Sequence, residues 1–515
     1  VLTSRYVDRW KPTDAFGVLP EEYGESGFLP EQHPGLAPKS RWCVVGWRDP
    51  HIHQIERTAP TPLTSSIYLA LQLAASRKWK AKSKDAKTAV LQSRPTTRSQ
   101  KLACRMPADE AFEGYDVEQL ILLLTEVYGL VSGPSWWRRS LLEILVKELG
   151  YRVNVYDRCV LTLDQEENKD FKDPNTPTRG ILVLEVDDML EAGDSVHRQK
   201  MELLEKRLRF GKVVDLQNTE GGSGYAGRRL RQLKDFSFEY SMDDYVANRL
   251  QKVNITRKFL KKDAAKIQLN EEEESQLRGT IAAINWAARE GRPDGSASAS
   301  ILSGCFPNPT LQNVLDCNAT VEILKERSIT IKIHAIPEAE LRHVLVADSS
   351  FDPTGKSKPQ HGWLQGVTTP ALNRGQFAPV SLISWRSKKL RRKAASTTLC
   401  ESISLSTALA SLEKQAATMK SFRFSRYDPS QVVEDMDVLM GLRGPPVVIS
   451  TEDPRHQDPE AVAIIDAKSV YDSTASSERQ FQGDDVRAAL EAAMIQESLA
   501  KLRARLRWLP HNLNP

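Results

Sequence analysis

Two adjacent carboxylates, Asp187 and Asp188, directly follow an apolar run that begins at Ile181. Four apolar residues in succession, Ile181 to Leu184, are typical of a strand that is buried on both faces. Carboxylates at the end of such a strand repel each other and lose hydration, so their charge requires compensation. Mg²⁺ can supply it, because this ion prefers hard oxygen ligands. The alternative is a solvated acidic turn, since Asp-Asp is a common turn pair.

Other acidic residues follow short apolar segments elsewhere in the chain. LRHVLVADSS contains Asp348, AVAIIDAKSV contains Asp466, and Glu401 lies near the start of a helical segment that follows a basic loop. Asp85 stands just before an apolar segment, and taken alone it is an ordinary strand-end aspartate. Two groups of three carboxylates can therefore form: 85, 187 and 188, and 348, 401 and 466. Two-metal phosphoryl transfer needs such groups, because they hold two Mg²⁺ ions about 3.5–4 Å apart.

Length and composition limit the class of protein. At 515 residues the chain is expected to form two to four domains. Charged residues make up 27%, the mean hydropathy is −0.43 and the net charge is +4, which indicates a soluble protein with a mild preference for polyanions. The six cysteines lack CxxC spacing, so neither a zinc site nor a disulfide framework is expected, and a reducing compartment is favoured.

Targeting signals are not expected. No apolar run approaches the ~20 residues that span a bilayer, and no signal peptide is recognisable. We therefore expect an intracellular location, in a cytoplasmic particle or the nucleus, and no membrane partner. Because the chain begins at Val1 and ends at Pro515 in a polar stretch, we expect it to be a piece of a longer chain.

In the first half, helices and strands are expected around the acidic residues. Apolar periodicity predicts a helix over 63–79, and Pro134 and Ser135 open another that ends before Gly150. The segment 152–163 predicts a strand that forms an antiparallel hairpin with the strand at 181. Asp194 and Ser195 predict the start of a helix that runs through Phe210.

The pattern changes at about residue 329. SITIKIHAI, HGWLQGVTT and APVSLISW predict three strands, in addition to those that carry Asp348 and Asp466. A long charged helix is predicted from Asp485 to Arg505, followed by RWLP. FDPTGKS is not a phosphate loop, because Ser350 occupies the position of its first glycine. With no nucleophile elbow either, a kinase or an α/β hydrolase is not favoured.

Seven segments, in order, resemble the reverse transcriptase and ribonuclease H portion of a copia-type LTR retrotransposon polyprotein. KSRW is similar to the K-A-R-L-V strand of that family, DAKTAVL to D-V-K-T-A-F-L, YGLVSGPSWW to Y-G-L-K-Q-A-P-R-A-W, and EVDDML to Y-V-D-D-M-L. Further on, RPDGSASASILSGCFPNPT resembles the R-P-D-I segment. ISWRSKKLRRKAASTTLCES and IIDAKSV resemble W-S-S-K-K-Q…S-S-T-E-A-E-Y and D-N-Q-S-A. The resemblance covers nearly the whole chain.

The resemblance implies roles for individual residues. The polymerase metals would be held by Asp85, Asp187 and Asp188, and the ribonuclease H metals by Asp348, Glu401 and Asp466. The ions implied are Mg²⁺, two per site, with Mn²⁺ as the alternative. The nucleotide site implied by the matching motifs comprises Lys39, Arg41, Val90, Tyr128 and Gly129. The basic stretch 386–393 would contact the nucleic-acid backbone, the alternative being a solvated charged face. The implied partners are an RNA template, a primer, dNTPs and an RNA/DNA hybrid.

Several positions depart from the family pattern. Glu185 replaces the tyrosine beside the paired aspartates and adds negative charge where the primer end is expected. Val90 replaces an aromatic residue that resembles a steric gate against the ribose 2′-hydroxyl, and Val131 and Ser132 replace Lys and Gln. The fourth ribonuclease H aspartate normally follows the W-V-P motif, and the chain ends at RWLPHNLNP before reaching it. We therefore expect weak or no RNA cleavage, and we do not expect Asp472 or Asp485 to substitute.

The sequence thus predicts an α+β and α/β multidomain protein. Residues 1–253 would form the fingers and palm of a right-hand polymerase with an antiparallel palm sheet. Residues 254–328 would form a thumb or connecting region, and 329–515 a ribonuclease H-like mixed sheet truncated at its C-terminus. The predicted function is RNA-directed DNA polymerase with ribonuclease H. The alternative is a degenerate retroelement remnant that keeps the fold and only binds nucleic acid.

Overall fold

The computed structural model describes residues 1–12, 36–98, 100–107, 119–165, 176–351, 359–430, 459–475 and 486–513. The chain divides into two compact units, each of mixed α and β structure. Unit 1 comprises Val1–Leu63 and Lys80–Ala226, and unit 2 comprises Thr64–Trp79 and Gly227–Pro515. Helix α1 (Thr64–Ser76) therefore belongs to unit 2, although unit 1 surrounds it in the sequence.

Unit 1 contains a six-stranded antiparallel sheet in the order β10-β3-β9-β8-β7-β6, and two smaller two-stranded sheets, β1-β2 and β4-β5. Helices α2 and α3 belong to the same unit, and α2 continues as a π-helical segment, Glu143–Glu148. The elements of unit 1 are β1 (Ser4–Pro12), β2 (Leu36–Val44), β3 (Ala81–Ala86), β4 (Ala103–Arg105), β5 (Leu120–Leu122), α2 (Gly133–Leu142), β6 (Tyr151–Val153), β7 (Val160–Leu163), β8 (Gly180–Glu185), β9 (Asp188–Gly193), α3 (Ser195–Arg207), β10 (Phe210–Asp215) and β11 (Ser223–Tyr225).

The core of unit 1 lies between the large sheet and its two helices. Apolar residues of β7, β8, α2 and α3 pack together, with Trp137, Leu161, Leu182 and Leu204 almost fully buried. The side chain of Asp194 accepts hydrogen bonds from the backbone N–H groups of the two residues after Ser195, which fixes the start of α3 as the sequence predicted.

The strand predicted at 181–184 is confirmed as β8, but the sequence pattern did not predict that the chain then reverses through the two-residue turn 186–187 into β9. Two other predictions for this unit are wrong in detail. The segment 152–163 is interrupted after Val153, since Asn154 and Asp157 accept hydrogen bonds from backbone N–H groups of the intervening turn. Helix α3 ends at Arg207, and Phe210 begins β10.

Unit 2 contains two sheets and most of the helices. Strands β12, β13 and β14 are antiparallel neighbours. A five-stranded sheet has the order β17-β16-β15-β18-β19, with β15, β18 and β19 parallel to one another and the other pairs antiparallel. The elements after α1 are β12 (Arg228–Gln232), β13 (Phe238–Ser241), α4 (Asp243–Arg249), α5 (Glu271–Glu290), α6 (Ser296–Leu302), α7 (Leu311–Glu326), β14 (Thr330–Ile333), β15 (Arg342–Ser350), β16 (Gln360–Thr368), α8 (Pro370–Asn373), β17 (Ser381–Lys389), α9 (Thr397–Arg423), β18 (Ala461–Ile465), α10 (Lys468–Ala475), α11 (Val486–Lys501) and β19 (Ala504–Trp508).

Two helices explain how local sequence positions the mixed sheet. Ser396 accepts a hydrogen bond from the backbone N–H of Leu399 and so begins α9, which covers the sheet through Leu405, Leu409 and Leu412. The predicted helix 485–505 is shorter, because β19 begins at Ala504 and pairs with β18. Asp485 lies outside the described residues.

The run of four glutamates at 271–274 is the first turn of α5, begun by a capping box between Asn270 and Glu273. Acidic side chains are favourable there because the N-terminus of a helix carries partial positive charge.

Among the described residues, no helix combines the length and the apolar character needed to cross a bilayer. The chain is thus a mixed α+β protein with several antiparallel sheets.

Candidate active sites

The large sheet of unit 1 brings Asp85 and Asp188 together as directly paired residues of β3 and β9. Asp187 lies in the turn that precedes β9, and its carbonyl accepts a hydrogen bond from the backbone N–H of Ala86 at 2.9 Å. Asp85 lies about 100 residues before the adjacent pair Asp187 and Asp188 in the sequence. All three carboxylates nevertheless occupy one end of two neighbouring strands. Their position is set by the register of the sheet.

The turn that carries Asp187 has an unusual backbone. Val186 has φ = 56°, a left-handed conformation that is rare for β-branched residues because Cβ crowds the backbone. The indole N–H of Trp137 donates a hydrogen bond to the carbonyl of Val186 at 2.9 Å. Trp137 itself is 1% exposed. A core side chain thus contacts the backbone of the strained turn.

The electrostatics of this group indicate uncompensated negative charge. Burial, followed by the nearby Asp85 and Glu185 carboxylates, raises the pKa of Asp188 to about 6. Burial and Asp85 also raise the pKa of Asp187, while Arg41 and Lys39 oppose that rise. One carboxylate oxygen of Asp187, Oδ1, is buried and has no hydrogen-bond partner within the described structure. A buried, unpartnered carboxylate oxygen fits a divalent cation, whose preferred ligands are oxygens.

Tyr128 and Gly129 pack against β2, the strand that carries the two cationic residues Lys39 and Arg41. The guanidinium of Arg41 lies 5.4 Å from the centroid of the Tyr128 ring, and the backbone N–H of Val44 donates to the Tyr128 carbonyl at 2.9 Å. Gly129 has φ = +93°, and a Cβ on it would lie 2.0 Å from the Val44 carbonyl oxygen. Only glycine fits this position without backbone movement, so the close approach that places Arg41 beside Tyr128 depends on it.

Val90 is the remaining nucleotide-site candidate, and Glu185 is the main departure from the family pattern. Val90 is 5% exposed and belongs to the hydrophobic core of unit 1. Glu185 is half-buried and pairs with Asp188 across the β8–β9 hairpin, where it contributes to the raised pKa of Asp188. The negative charge of Glu185 therefore acts directly on one of the three carboxylates.

The mixed sheet of unit 2 brings the second group together. Asp348 lies near the end of β15, Asp466 directly follows β18, and Glu401 lies in the first turns of α9. Strands β15 and β18 are parallel neighbours, and the last register pair, Val346 with Ile464, places Asp348 beside Asp466 two residues further on. One ligand oxygen from each of the three carboxylates lies within 4.8 Å of the others, a separation that a bound metal ion can bridge.

Burial and mutual repulsion also dominate this group. Burial is the main cause that raises the pKa of Glu401 to about 7, with Asp348 and Asp466 adding to it. The pKa of Asp348 is raised by burial and then by Asp466. His511 Nδ1 lies 2.8 Å from Asp466 Oδ2, and this contact raises the pKa of the imidazole. Asp472 is exposed on α10 and is not part of the group.

The two groups differ in how closely their side chains approach. Within the described parts of the chain, the carboxylates at 348, 401 and 466 are the one set of three such side chains that meets the 4.8 Å limit. The group of unit 1 is assembled by strand pairing, but its oxygens do not converge in the same way. The conformation described for unit 1 is thus less closely suited to a shared metal ion than that of unit 2.

A basic surface lies on β17 and the loop after it. The residues of the predicted basic stretch that are exposed are Arg386, Arg391, Arg392 and Lys393. The pKa of Lys388 is lowered by burial and by the neighbouring Arg386 and Arg391, and its ammonium lies 5.4 Å from the centroid of the Trp363 ring. Arg392 forms an ion pair with Glu491, so this side chain is partly compensated. Crowded cations of this kind favour an anionic partner.

Two residues near these sites were not singled out by sequence reasoning as site residues. Trp137 is a core residue of α2, and its hydrogen bond to the strained turn could not be inferred from apolar periodicity. His511 follows RWLP directly, and the proximity of that segment to Asp466 depends on the parallel pairing of β18 with β19.

Comparisons with known proteins give only distant likenesses. No protein-family model matches the chain, and no curated protein matches it significantly. Among solved structures, the foamy viral protease-reverse transcriptase dRH in complex with double-stranded DNA is 10% identical, with a TM-score of 0.44, 92% of this chain covered and 63% of that one. The chain thus spans less than two thirds of that structure.

Two further structures are similar over parts of the chain. The foamy viral protease-reverse transcriptase in complex with an RNA/DNA hybrid is 12% identical, with a TM-score of 0.36 and coverage of 85% and 45%. The N-terminal ribonuclease H domain of rv2228c from Mycobacterium tuberculosis, a fusion with maltose binding protein, is 15% identical, with a TM-score of 0.18 and coverage of 34% and 86%. What the chain does is therefore inferred from its own side chains.

Proposed function

We propose that the chain is an RNA-directed DNA polymerase with ribonuclease H from a copia-type retroelement. The observation that carries this proposal is the convergence, within 4.8 Å, of Asp348, Glu401 and Asp466, which the sequence predicts to form one metal site. Asp85 and Asp188, which pair in the large sheet of unit 1, support the polymerase half of the proposal. Two acidic groups on two different sheets fit an enzyme that both forms and hydrolyses phosphodiester bonds.

In the polymerase step, the chain's residues bind and orient the reacting groups. Asp85, Asp187 and Asp188 would hold Mg²⁺, which when bound activates the attacking 3′-oxygen of the primer and stabilises the leaving oxygen. Arg41 and Lys39 lie close enough to these carboxylates to oppose the rise in the pKa of Asp187, so they can neutralise the incoming triphosphate as fixed cations.

In the nuclease step, the three carboxylates of unit 2 would hold the ions that assist cleavage of the RNA strand. The Nδ1–H of His511 donates to the Asp466 carboxylate and so restrains it. The exposed cations of the segment 386–393 are suited to the phosphate backbone of a hybrid, a contact that weakens with added salt.

Primer extension on an RNA template with Mg²⁺ tests the polymerase half. Wild type should extend the primer, and Asp187→Asn should not, because the substitution removes a metal-binding oxygen and its charge. If the two proteins extend equally poorly, the polymerase proposal is wrong. Cleavage of an RNA/DNA hybrid tests the nuclease half: wild type should cleave weakly and Glu401→Gln should not cleave at all, and equal cleavage by the two proteins would show that these carboxylates do not carry the reaction.

The alternative, a remnant that binds nucleic acid without catalysis, is favoured by two observations. Glu185 adds negative charge beside Asp188, and the oxygens of the unit 1 carboxylates do not converge as those of unit 2 do. Glu185→Gln separates the two functions. If that charge suppresses an existing polymerase, Glu185→Gln should extend primers faster than wild type, whereas a remnant would remain inactive while still binding the template.

A further inference from the structure

The turn that carries Asp187 combines a strained residue with a buried side chain that contacts it. Val186 adopts φ = 56°, and nothing in its own sequence favours that conformation, since glycine, asparagine and aspartate are the residues that tolerate it. A β-branched residue holds such a conformation only where surrounding contacts impose it, and such residues cluster at functional sites.

One of the contacts that impose it is the hydrogen bond from the Trp137 indole to the Val186 carbonyl, at 2.9 Å. That carbonyl belongs to the peptide unit that joins Val186 to Asp187, so the bond fixes the plane of this peptide. On the other side, the Asp187 carbonyl accepts from the N–H of Ala86 at 2.9 Å. The backbone of Asp187 is therefore held from both sides, which determines where its side chain points.

The position of Trp137 makes it a rigid donor. It lies in α2, is 1% exposed and packs within the hydrophobic core of unit 1. The carboxylate that it would orient has a buried Oδ1 with no hydrogen-bond partner among the described residues, so no hydrogen bond to this oxygen fixes its direction there. We infer that Trp137 is a positioning residue for the metal site, acting through the Val186 carbonyl to aim the Asp187 carboxylate at the cation.

The inference rests on the proposed function, because it assigns a role toward a metal that Asp187 would bind. The chain offers a matched control in Trp136, the preceding residue of α2. Its indole N–H also donates to a backbone carbonyl, that of Arg94, at 3.0 Å. Trp136 and Trp137 thus lose the same donor when changed to phenylalanine, but only one of the two carbonyls adjoins an acidic site.

The first experiment measures Mn²⁺ binding to nucleotide-free protein by electron paramagnetic resonance, in a Glu401→Gln background that disables the second acidic group. Trp137→Phe should weaken Mn²⁺ binding by about tenfold, the lower end of the effect of removing a residue that orients a metal ligand. Trp136→Phe should change it by less than about twofold. Asp187→Asn should abolish binding at this group.

A second experiment asks whether the effect passes through the turn. Glycine adopts φ = 56° readily, so in a Val186→Gly background the turn depends less on the indole. The loss caused by Trp137→Phe should then fall well below tenfold, a coupling that a general loss of core packing would not produce. In primer extension, Trp137→Phe should raise the Mg²⁺ concentration needed for half-maximal rate and leave the KM for primer-template unchanged.

The outcomes separate the inference from the function on which it rests. If Asp187→Asn does not weaken Mn²⁺ binding, the metal site itself is wrong. If Asp187→Asn weakens binding but Trp137→Phe and Trp136→Phe behave alike, the metal site stands and the role of Trp137 is overturned. Equal losses from Trp137→Phe with Val186 and with glycine at that position would also overturn it.

Discussion

Replacing Asp188 by asparagine should stabilise the metal-free protein at neutral and alkaline pH while removing a proposed metal ligand. Asp188 is ionised there at a cost, because burial and the Asp85, Glu185 and Asp187 carboxylates all oppose its charge and raise its pKa to about 6. Asparagine has nearly the same shape and carries no charge. The substitution therefore removes the repulsion without opening a cavity.

The magnitude follows from the pKa. The ordinary value is 3.8 and the value in the fold is about 6, and each pKa unit corresponds to about 1.36 kcal/mol, so ionisation of Asp188 costs about 3 kcal/mol of folding free energy. Because the pKa is raised in the folded state, the protonated form contributes stability below pH 3.8. That stability is lost as the pH rises through 6.

Urea unfolding of metal-free wild type and Asp188→Asn across this range measures the difference. In these unfolding experiments, hydrogen exchange of the β8–β9 segment is measured by mass spectrometry, so that the unfolding of unit 1 is followed separately. The stability gained by Asp188→Asn should be near zero at low pH and should rise to about 3 kcal/mol above pH 6. Added Mg²⁺ should stabilise wild type and have less effect on the variant.

Asp194→Asn is a control of opposite sign. Asp194 is paired with Arg179 and begins α3. Hydrogen bonds from Arg179 and from the backbone N–H groups of α3 outweigh its burial and lower its pKa. Losing that charge should destabilise the fold above pH 4. If Asp188→Asn is no more stable than wild type at pH 8 without metal, the carboxylates of unit 1 are not held in mutual repulsion, and the electrostatic reasoning is refuted.

Three further outcomes are expected. Gly129→Ala should destabilise unit 1 by well over 1 kcal/mol in the same unfolding assay and should weaken nucleotide binding. Gly150→Ala is the control, since Gly150 also has positive φ but nothing lies within 4 Å of the added Cβ. It should cost only about 1 kcal/mol. Lys84→Met should cost about 3 kcal/mol, the lower end for breaking a buried ion pair, because it removes the ammonium that lies 2.8 Å from Glu191 and leaves that carboxylate with His197 as its partner; calorimetry checks this. Protection of metal-free unit 2 from proteolysis should fall as the pH rises through about 7, where Glu401 ionises, and Glu401→Gln should remove that dependence.

Much of the second acidic group could be predicted from sequence. Apolar strands that end in Asp348 and Asp466, and a helix that carries Glu401 near its start, place three carboxylates at one edge once the strands are parallel neighbours. The apolar periodicity of strands and helices is a local pattern, so a single sequence is enough to recognise it. The same reasoning predicted α2 and the start of α3 correctly.

Other features could not be predicted. An acidic turn at Asp187 and Asp188 was one of two expectations, but the hairpin turn lies one residue earlier, at Val186 and Asp187, where neither Gly nor Asn marks it. The proximity of His511 to Asp466 depends on the last strand pair, which no local pattern encodes.

Helix α1 has a consequence for how the protein is made. Its residues 66–75 are buried, and several of its hydrogen-bond partners come much later in the chain. Gln72 donates to the His334 carbonyl, 262 residues on, and Arg77 to the Arg423 carbonyl, 346 residues on.

At roughly 5–20 residues per second, the ribosome needs on the order of tens of seconds to supply those partners. During that time the apolar surface of α1 stays uncovered, while the segment that follows it can already fold. Synthesis therefore passes through a state that is open to aggregation or to chaperones. Fragments beginning at Gly227 or later would lack a helix that completes their own core.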